Sequence, residues 1–237
     1  MEVDYKNIKV IGFDADDTLW VNETYFRAAE EAAGLLLSHY ETPNKIDQEL
    51  FRIEIKNLPT YGYGVKGFIL SMIELAIELS NGTVSNKVVT EMLKIGKDMI
   101  NKPIELLDGV EEVLRVLSKD YRLIVATKGD LLDQERKLEK SGLLKYFHHI
   151  EVLSEKQEAN YSKLLKHLDI EPEAFLMVGN SLKSDILPLV NIGAKAIHVP
   201  FHTTWQHEKV TKKETNGSDY KTVNNLAEIL DFFSTKK

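Results

Sequence analysis

Residues 8–18 read Ile8-Lys9-Val10-Ile11-Gly12-Phe13-Asp14-Ala15-Asp16-Asp17-Thr18, an apolar and β-branched run that stops abruptly in carboxylates and a threonine. The run predicts a buried strand, and the acids predict a polar turn at its carboxyl end. Open α/β sheets bind ligands outside the carboxyl ends of their strands, so this turn is the first candidate for chemistry. Acids at 14, 16 and 17 repel one another unless a cation or hydrogen-bond donors share the site. Read alone, Asp16 or Thr18 does no more than cap a turn or a helix.

Downstream the period changes from that of a strand to that of a helix. Tyr25, Phe26, Ala29, Ala33, Leu36, Leu37 and Tyr40 fall on one helical face, as do Phe68, Met72, Ile73, Ala76 and Leu79. Val88, Val89, Met92, Ile95, Met99 and Ile100 repeat the pattern, with a weaker helix near residues 46–56. Beyond Asp108-Gly109, strands and helices alternate. Strands are expected at Leu123 to Ala126, Ile150 to Leu153, Phe175 to Val178 and Ala194 to Val199. Helices are expected at Val110 to Leu117, Leu131 to Glu139, Ser162 to Leu168, after Ser181, and at Leu226 to Phe233. Such alternation implies parallel strands with crossover helices on both faces. The expected fold is therefore α/β, a Rossmann-like three-layer parallel-sheet core over 1–19 and 105–237, with an all-helical insert over 20–104. Residues 207–221 are polar and read as a surface excursion.

The 237 residues carry 30 Lys+Arg against 37 Asp+Glu, a formal charge of −7, which disfavours nonspecific binding to nucleic acid or anionic membrane. The hydrophobic share of 43% is enough for a sizeable core, and the absence of cysteine removes disulfides, thiolate metal sites and a cysteine nucleophile. The first ten residues, MEVDYKNIKV, lack the basic start and apolar stretch of a signal peptide. We expect a cytoplasmic protein that engages neither nucleic acid nor membrane, and the acidic balance leaves room for a small anionic substrate held by a few local cations.

Three further strand ends terminate in polar residues. Thr127 and Lys128 follow Leu123 to Ala126; a hydroxyl and N–H groups at a helix start suit a phosphoryl oxygen, although Thr127 alone reads as an N-cap. Lys156 follows Ile150 to Leu153 and could neutralise substrate charge; alone it is a surface lysine, and Lys163 on the next helix competes with it. Gly179-Asn180-Ser181-Leu182-Lys183-Ser184-Asp185 follows the Phe175 to Val178 strand, and Asn180 and Asp185 offer hard oxygens suited to Mg²⁺, or else cap a helix.

Taken together in this order, the residues resemble the haloacid dehalogenase-like (HAD) hydrolase superfamily. Asp14-Ala15-Asp16-Asp17-Thr18 matches its DxDxT signature, Thr127 its strand-ending Ser/Thr, Lys156 its lysine, and Gly179 to Asp185 its GDxxxxD loop. The helical insert is similar to that superfamily's cap domain. Asn180 departs from the pattern, since Asp is usual there, and removes one negative charge from the site.

The resemblance implies a Mg²⁺-dependent phosphatase of small phosphorylated metabolites. Asp14 would be the nucleophile that forms an aspartyl-phosphate, and Asp16 the general acid and base. Thr127, Lys128 and Lys156 would hold the phosphoryl group. Asp14, Asp16 (through its backbone carbonyl), Asp185 and Asn180 would hold the metal. Dehalogenases of the superfamily usually lack the second Asp, so Asp16 favours phosphoryl chemistry. Two rivals stay open: a phosphomutase-type phosphotransferase sharing the intermediate, and a noncatalytic protein that binds a phosphorylated ligand.

Gly62-Tyr63-Gly64-Val65-Lys66-Gly67 is a literal G-x-G-x-x-G, but no strand precedes it as a dinucleotide site requires. It reads as an interhelical turn or a cap loop presenting Tyr61, Tyr63 or Lys66 to substrate. No P-loop, G-x-S-x-G or H-E-x-x-H pattern occurs.

Overall fold

A computed structural model describes residues 5–233. The chain runs β1 (Val10–Phe13), α1 (Glu23–Leu37), α2 (Pro43–Tyr61), α3 (Val65–Leu79), α4 (Asn86–Asn101), α5 (Val110–Leu117) and β2 (Arg122–Lys128). It continues through α6 (Leu131–Lys140), β3 (His149–Leu153), α7 (Glu158–Leu168), β4 (Phe175–Gly179), α8 (Leu187–Asn191), β5 (Lys195–His198), α9 (Lys212–Thr215) and β6 (Lys221–Thr222). It divides into two compact units. The first runs to Val21, resumes over Ile104–Lys128 and continues from Gln134; the second is Asn22–Pro103 with Gly129–Asp133.

The first unit is built on a six-stranded sheet of order β3-β2-β1-β4-β5-β6, every neighbouring pair parallel. Successive side chains of a strand point to opposite faces, so each strand of this run of apolar residues feeds two cores. Ile11, Phe13, Leu123, Val125, Leu176 and Val178 pack with Val113, Leu114 and Leu117 of α5 on one face. Val10, Ile124, Ala126, Phe175 and Met177 pack with Tyr161, Leu164, Leu165 and Leu168 of α7 on the other. Phe13 registers against Val125 of β2 and Val178 of β4, so β1 is central. Between β1 and β4 the strand order reverses direction, and such a switch point opens a crevice at the carboxyl ends. Asp14 is the residue that follows β1 there.

The second unit is α-helical and closes its own core. Ala29, Ala33 and Leu37 of α1 meet Ile46, Leu50 and Ile53 of α2, Met72, Leu75 and Ala76 of α3 and Met92 of α4, all buried. Four-residue spacing stacks these side chains on single faces. A Cβ on Gly96 would lie 2.4 Å from Ile69 Cγ1, so glycine permits the close approach of α4 to α3. Ser85 caps α4 by accepting the Val88 N–H at 3.4 Å, and Pro43 opens α2 where no donor is needed.

Four details differ from the sequence reading. α2 is longer than 46–56: it opens at Pro43 and runs on through Pro59 to Tyr61, with the Leu58 carbonyl still accepting the Gly62 N–H. Leu226–Phe232 is a 3₁₀ segment rather than an α-helix. The turn after β4 is a π segment, Leu182–Ile186, leading into α8. Residues 207–221 stay at the surface, none of them buried, but they are structured, carrying α9 and the half-buried Glu208 and running into β6. Two-residue β6 is too short for any alternating pattern to announce it. No helix among the described residues is long and apolar enough to cross a membrane.

Candidate active site

Asp14 is held in place from its backbone outward. Its N–H donates to the Val178 carbonyl at 2.9 Å, extending the β1–β4 ladder by one residue. The Asp14 side chain accepts from Lys156 Nζ at 2.5 Å through Oδ1, and from the Thr18 hydroxyl at 3.4 Å through Oδ2. The same ammonium donates to Asp185 Oδ1 at 2.6 Å. Lys156, Asp14 and Asp185 are all buried, at 4%, 7% and 1% exposure, so one lysine serves two desolvated carboxylates. Lys163 is exposed on α7.

Charge bookkeeping follows from that triad. Burial pushes the Asp14 carboxyl up to about 7; Lys156 opposes the rise and Asp185 adds to it. Burial alone would lower the Lys156 ammonium, but the facing carboxylates of Asp14 and Asp185 outweigh it and raise it well above the ordinary lysine value. The site thus carries more negative charge than its lysine neutralises.

Asp185 reaches this position because Gly179 has no side chain. A Cβ there would lie 2.4 Å from Asp185 Oδ2, an impossible approach. Asp185 Oδ2 instead accepts the Ser181 N–H at 2.9 Å. Asn180 lies beside the pair: the Thr18 hydroxyl is 3.3 Å from its Oδ1 and 3.4 Å from Asp14 Oδ2. His198 Nε2 on β5 is 3.1 Å from the Asn180 carbonyl, a distance that fits the Nε2–H tautomer.

These oxygens fit a small hard cation. Among the described residues no three acidic or histidine side chains converge on a metal-holding point. Mg²⁺, however, is usually held by one or two carboxylates and keeps several waters. Asp14 and Asp185 supply two carboxylates, Asn180 a neutral amide oxygen, and the sharing of one lysine by both carboxylates supplies the electrostatic reason.

Asp16 faces a different set of partners. Its Oδ1 accepts from Trp20 Nε1 at 2.7 Å and from Lys137 Nζ at 2.9 Å, and its Oδ2 accepts from Gln134 Nε2 at 2.8 Å. Asp17, at φ 62°, makes the tight turn that returns the chain to Trp20, with the Asp17 N–H on the Trp20 carbonyl at 2.7 Å. Gln134 and Lys137 are three apart on α6 and so share a face.

Thr127 is buried in β2, with its hydroxyl donating to the Lys128 carbonyl at 3.1 Å. Lys128 Nζ donates to Glu208 Oε1 at 2.7 Å and to Ser184 Oγ at 3.0 Å. Glu208 also accepts the hydroxyls of Ser181 and Ser184, both at 2.5 Å. Burial would raise the Glu208 carboxyl, but Lys128 and the two hydroxyls overcome this and hold it at about 2. In the helical unit, Tyr61 donates to Glu74 at 2.7 Å, Lys66 pairs with Asp130 at 2.8 Å, and Tyr63 lies in the turn between α2 and α3.

The structure therefore brings Asp14, Lys156, Asp185, Asn180 and Thr18 together at the carboxyl edge of the sheet and ties Lys128 to its own carboxylate. Trp20, Gln134, Lys137 and Glu208 escaped the sequence reading, while Ser181 and Ser184 were read within the loop after β4, where Ser181 does cap the following segment by accepting the Ser184 N–H. The i, i+3 pair on α6 was a usable signal for two of them, whereas Glu208 sits in a polar stretch with none.

Comparison with known proteins agrees with this geometry. A family model described as haloacid dehalogenase-like hydrolase matches residues 8–193. The N-acylneuraminate-9-phosphatase of Mus musculus is 28% identical over 200 residues, covering 80% of this chain and 81% of that one. The glyceraldehyde 3-phosphate phosphatase of Methanothermobacter thermautotrophicus is 26% identical over 234 residues, 94% of this chain and 98% of that one. A haloacid dehalogenase-like family hydrolase from Xanthomonas campestris, solved as a crystal structure, is 39% identical with a TM-score of 0.79 and covers 88% of each chain. Because the family match covers well over half of the chain, from ahead of β1 to beyond Asp185, this chain belongs to the haloacid dehalogenase-like hydrolases.

Proposed function

We propose that the protein is a Mg²⁺-dependent phosphatase of small phosphomonoesters that works through an aspartyl-phosphate on Asp14. The observation that carries this reading is the buried Asp14–Lys156–Asp185 triad at the switch point of the sheet, with a second acid two residues after the first. The phosphatases among its relatives support the same class of reaction.

Phosphomonoesters are inert, with catalysed accelerations reaching about 10²¹ for the slowest, so a positioned nucleophile must be joined to charge neutralisation. Asp14, Asp185, Asn180 and the Asp16 carbonyl would hold the metal, which when bound neutralises charge between the nucleophile and the phosphoryl oxygens. An Asp14 carboxylate oxygen attacks phosphorus in line, and the bond to the leaving oxygen breaks. Asp16 gives its proton to that oxygen. It then takes one from water, whose oxygen attacks the phosphorus of the acyl phosphate, releasing inorganic phosphate and regenerating the Asp14 carboxylate. Lys156 and Thr127 place a cation and a hydroxyl by the transferring group.

In this reading the helical unit serves as a cap that excludes water and chooses among substrates. Tyr61, Tyr63 and Lys66 are its candidate selectors, since they place aromatic and cationic groups in and beside the turn between α2 and α3. A negatively charged surface overall is compatible with a small anion held by a few local cations.

The test is phosphate release from p-nitrophenyl phosphate and a panel of sugar and triose phosphates, with Mg²⁺ or with EDTA, for wild type and Asp14→Asn. Mg²⁺-dependent release that Asp14→Asn abolishes is expected. A folded wild type that releases no phosphate from any compound would sink the proposal.

A further inference from the structure

The turn Gln206–Glu208 belongs to no motif, yet it touches both sides of the site. Glu208 Oε1 accepts from Lys128 at the end of β2, and Oε2 accepts from Ser181 and Ser184 in the segment after β4. Ser184 is bound at four points. Its N–H donates to Ser181 Oγ at 3.0 Å, its hydroxyl donates to Glu208 and accepts from Lys128, and its carbonyl accepts the Tyr161 hydroxyl at 3.0 Å. A second tie runs from Lys183 Nζ to the His207 carbonyl at 2.6 Å. Asp185 is the next residue along the chain. Its two oxygens are already directed at Lys156 and at the Ser181 N–H.

We propose that Glu208 is a positioning residue for the divalent-cation site: by gripping Ser181, Ser184 and Lys128 it holds Asp185 in its ligating pose before the ion arrives. The inference rests on the reading of Asp14 and Asp185 as metal ligands given under Proposed function. Its physical content is preorganisation, since a ligand already immobilised costs less to order on binding. Groups behind the ligands of a metal site act in this way and change affinity by about 10- to 100-fold when removed. Only a carboxylate fits, because the site needs an acceptor for three donors at once and a charge to match Lys128.

A positional role can be separated from a simple field effect. If Glu208 acted only through its charge, removing it would weaken Mg²⁺ binding, removing the Lys128 charge would strengthen it, and the two changes would cancel. If the network positions Asp185, each change weakens binding, and the double variant is no worse than the poorer single one, because residues acting through one network are not additive.

The experiment is calorimetric titration of the full chain with Mg²⁺ alone, without substrate, for wild type, Glu208→Gln, Lys128→Met and the double variant. Melting temperatures confirm that each is folded. Expected are losses of about tenfold in Mg²⁺ affinity for each single variant and no further loss in the double. Unchanged affinity in Glu208→Gln, or tighter binding in Lys128→Met with recovery in the double, would overturn the inference while leaving the phosphatase reading intact. A wild type that binds no Mg²⁺ would overturn both. Should Glu208→Gln fail to fold, Ser184→Ala cuts the same network, and normal Mg²⁺ affinity in that variant rejects the proposal.

Discussion

Lys156 Nζ lies 2.5 Å from Asp14 Oδ1 although the two residues are 142 positions apart in the chain. One comes from the loop after edge strand β3, the other from the end of central strand β1, and Asp185 after β4 completes the contact. The parallel sheet is what makes this possible, because it aligns the carboxyl ends of strands distant in sequence.

That relationship predicts the consequence of losing the lysine. Lys156→Met leaves two carboxylates buried without their cation, and removing one partner of such a cluster costs about 3–5 kcal/mol. The interaction requires ionised carboxylates. Asp14 has its proton affinity raised to about 7, so the stabilisation Lys156 gives is largest above that pH and shrinks as the pH falls and Asp14 is protonated. Thermal denaturation in EDTA at pH 8 and pH 5 should show a deficit for Lys156→Met that is smaller at pH 5. An equal deficit at both values would argue against the charge-based account.

Asp16 is gripped by Trp20, Gln134 and Lys137. If it is the acid and base, Asp16→Asn should spare attack on p-nitrophenyl phosphate, whose leaving group needs little protonation, and cripple hydrolysis of the intermediate. Rapid-mixing kinetics should then show a burst of about one nitrophenolate per protein followed by turnover slowed by about 10²–10⁴-fold. Lys137→Met, which removes one of the three donors, should lower kcat by about tenfold with KM little changed, as expected for a group that positions the reacting carboxylate rather than the substrate.

Much of this architecture was legible beforehand, for reasons that can be traced. The β1 run and its three acids announced a strand and a site because burial on both faces demands continuous apolar residues and chemistry demands an abrupt end to them. The helical unit was readable from repeated faces such as Ala29, Ala33 and Leu37, which do fill its core. Partnerships across the chain were not readable. Lys128 reads as a phosphate-binding cation from its place after β2, and its pairing with Glu208, 80 positions away, has no signal in the sequence. Nothing local to Glu208 signals that contact; it depends on where β5 ends and how the following segment folds back. Trp20 read as neither core nor site, yet its indole N–H fixes Asp16 while its ring is buried.

Asn180 supplies a prediction with two signs. Its Oδ1 accepts from the Thr18 hydroxyl at 3.3 Å, and an aspartate could accept the same bond. Asn180→Asp would add a third carboxylate beside Asp14 and Asp185, so Mg²⁺ should bind about tenfold more tightly by calorimetry. Without metal the added charge has no partner, and the melting temperature in EDTA should fall below that of wild type. Tighter binding without the loss of metal-free stability would mean that the third carboxylate does not share the site.

Glu54 gives the last prediction, in the helical unit. It is buried on α2, its Oε1 has no hydrogen-bond partner, and its carboxyl is pushed up to about 8, first by burial and then by the charges of Glu30 and Glu23 against the opposing Arg27. In the unfolded chain the same group titrates near 4.5. Between those values the folded state binds the extra proton, so stability is greatest below about 4.5 as far as this group is concerned and declines as pH rises toward 8. Glu54→Gln keeps the neutral shape and removes the penalty. The variant should match wild type near pH 5 and exceed it at pH 8, by an amount on the order of a few kcal/mol. Denaturant titrations followed by helical circular dichroism at the two pH values would measure the difference, and a Glu54→Gln variant less stable than wild type at pH 8 would show that Glu54 is ionised and paired in the folded protein.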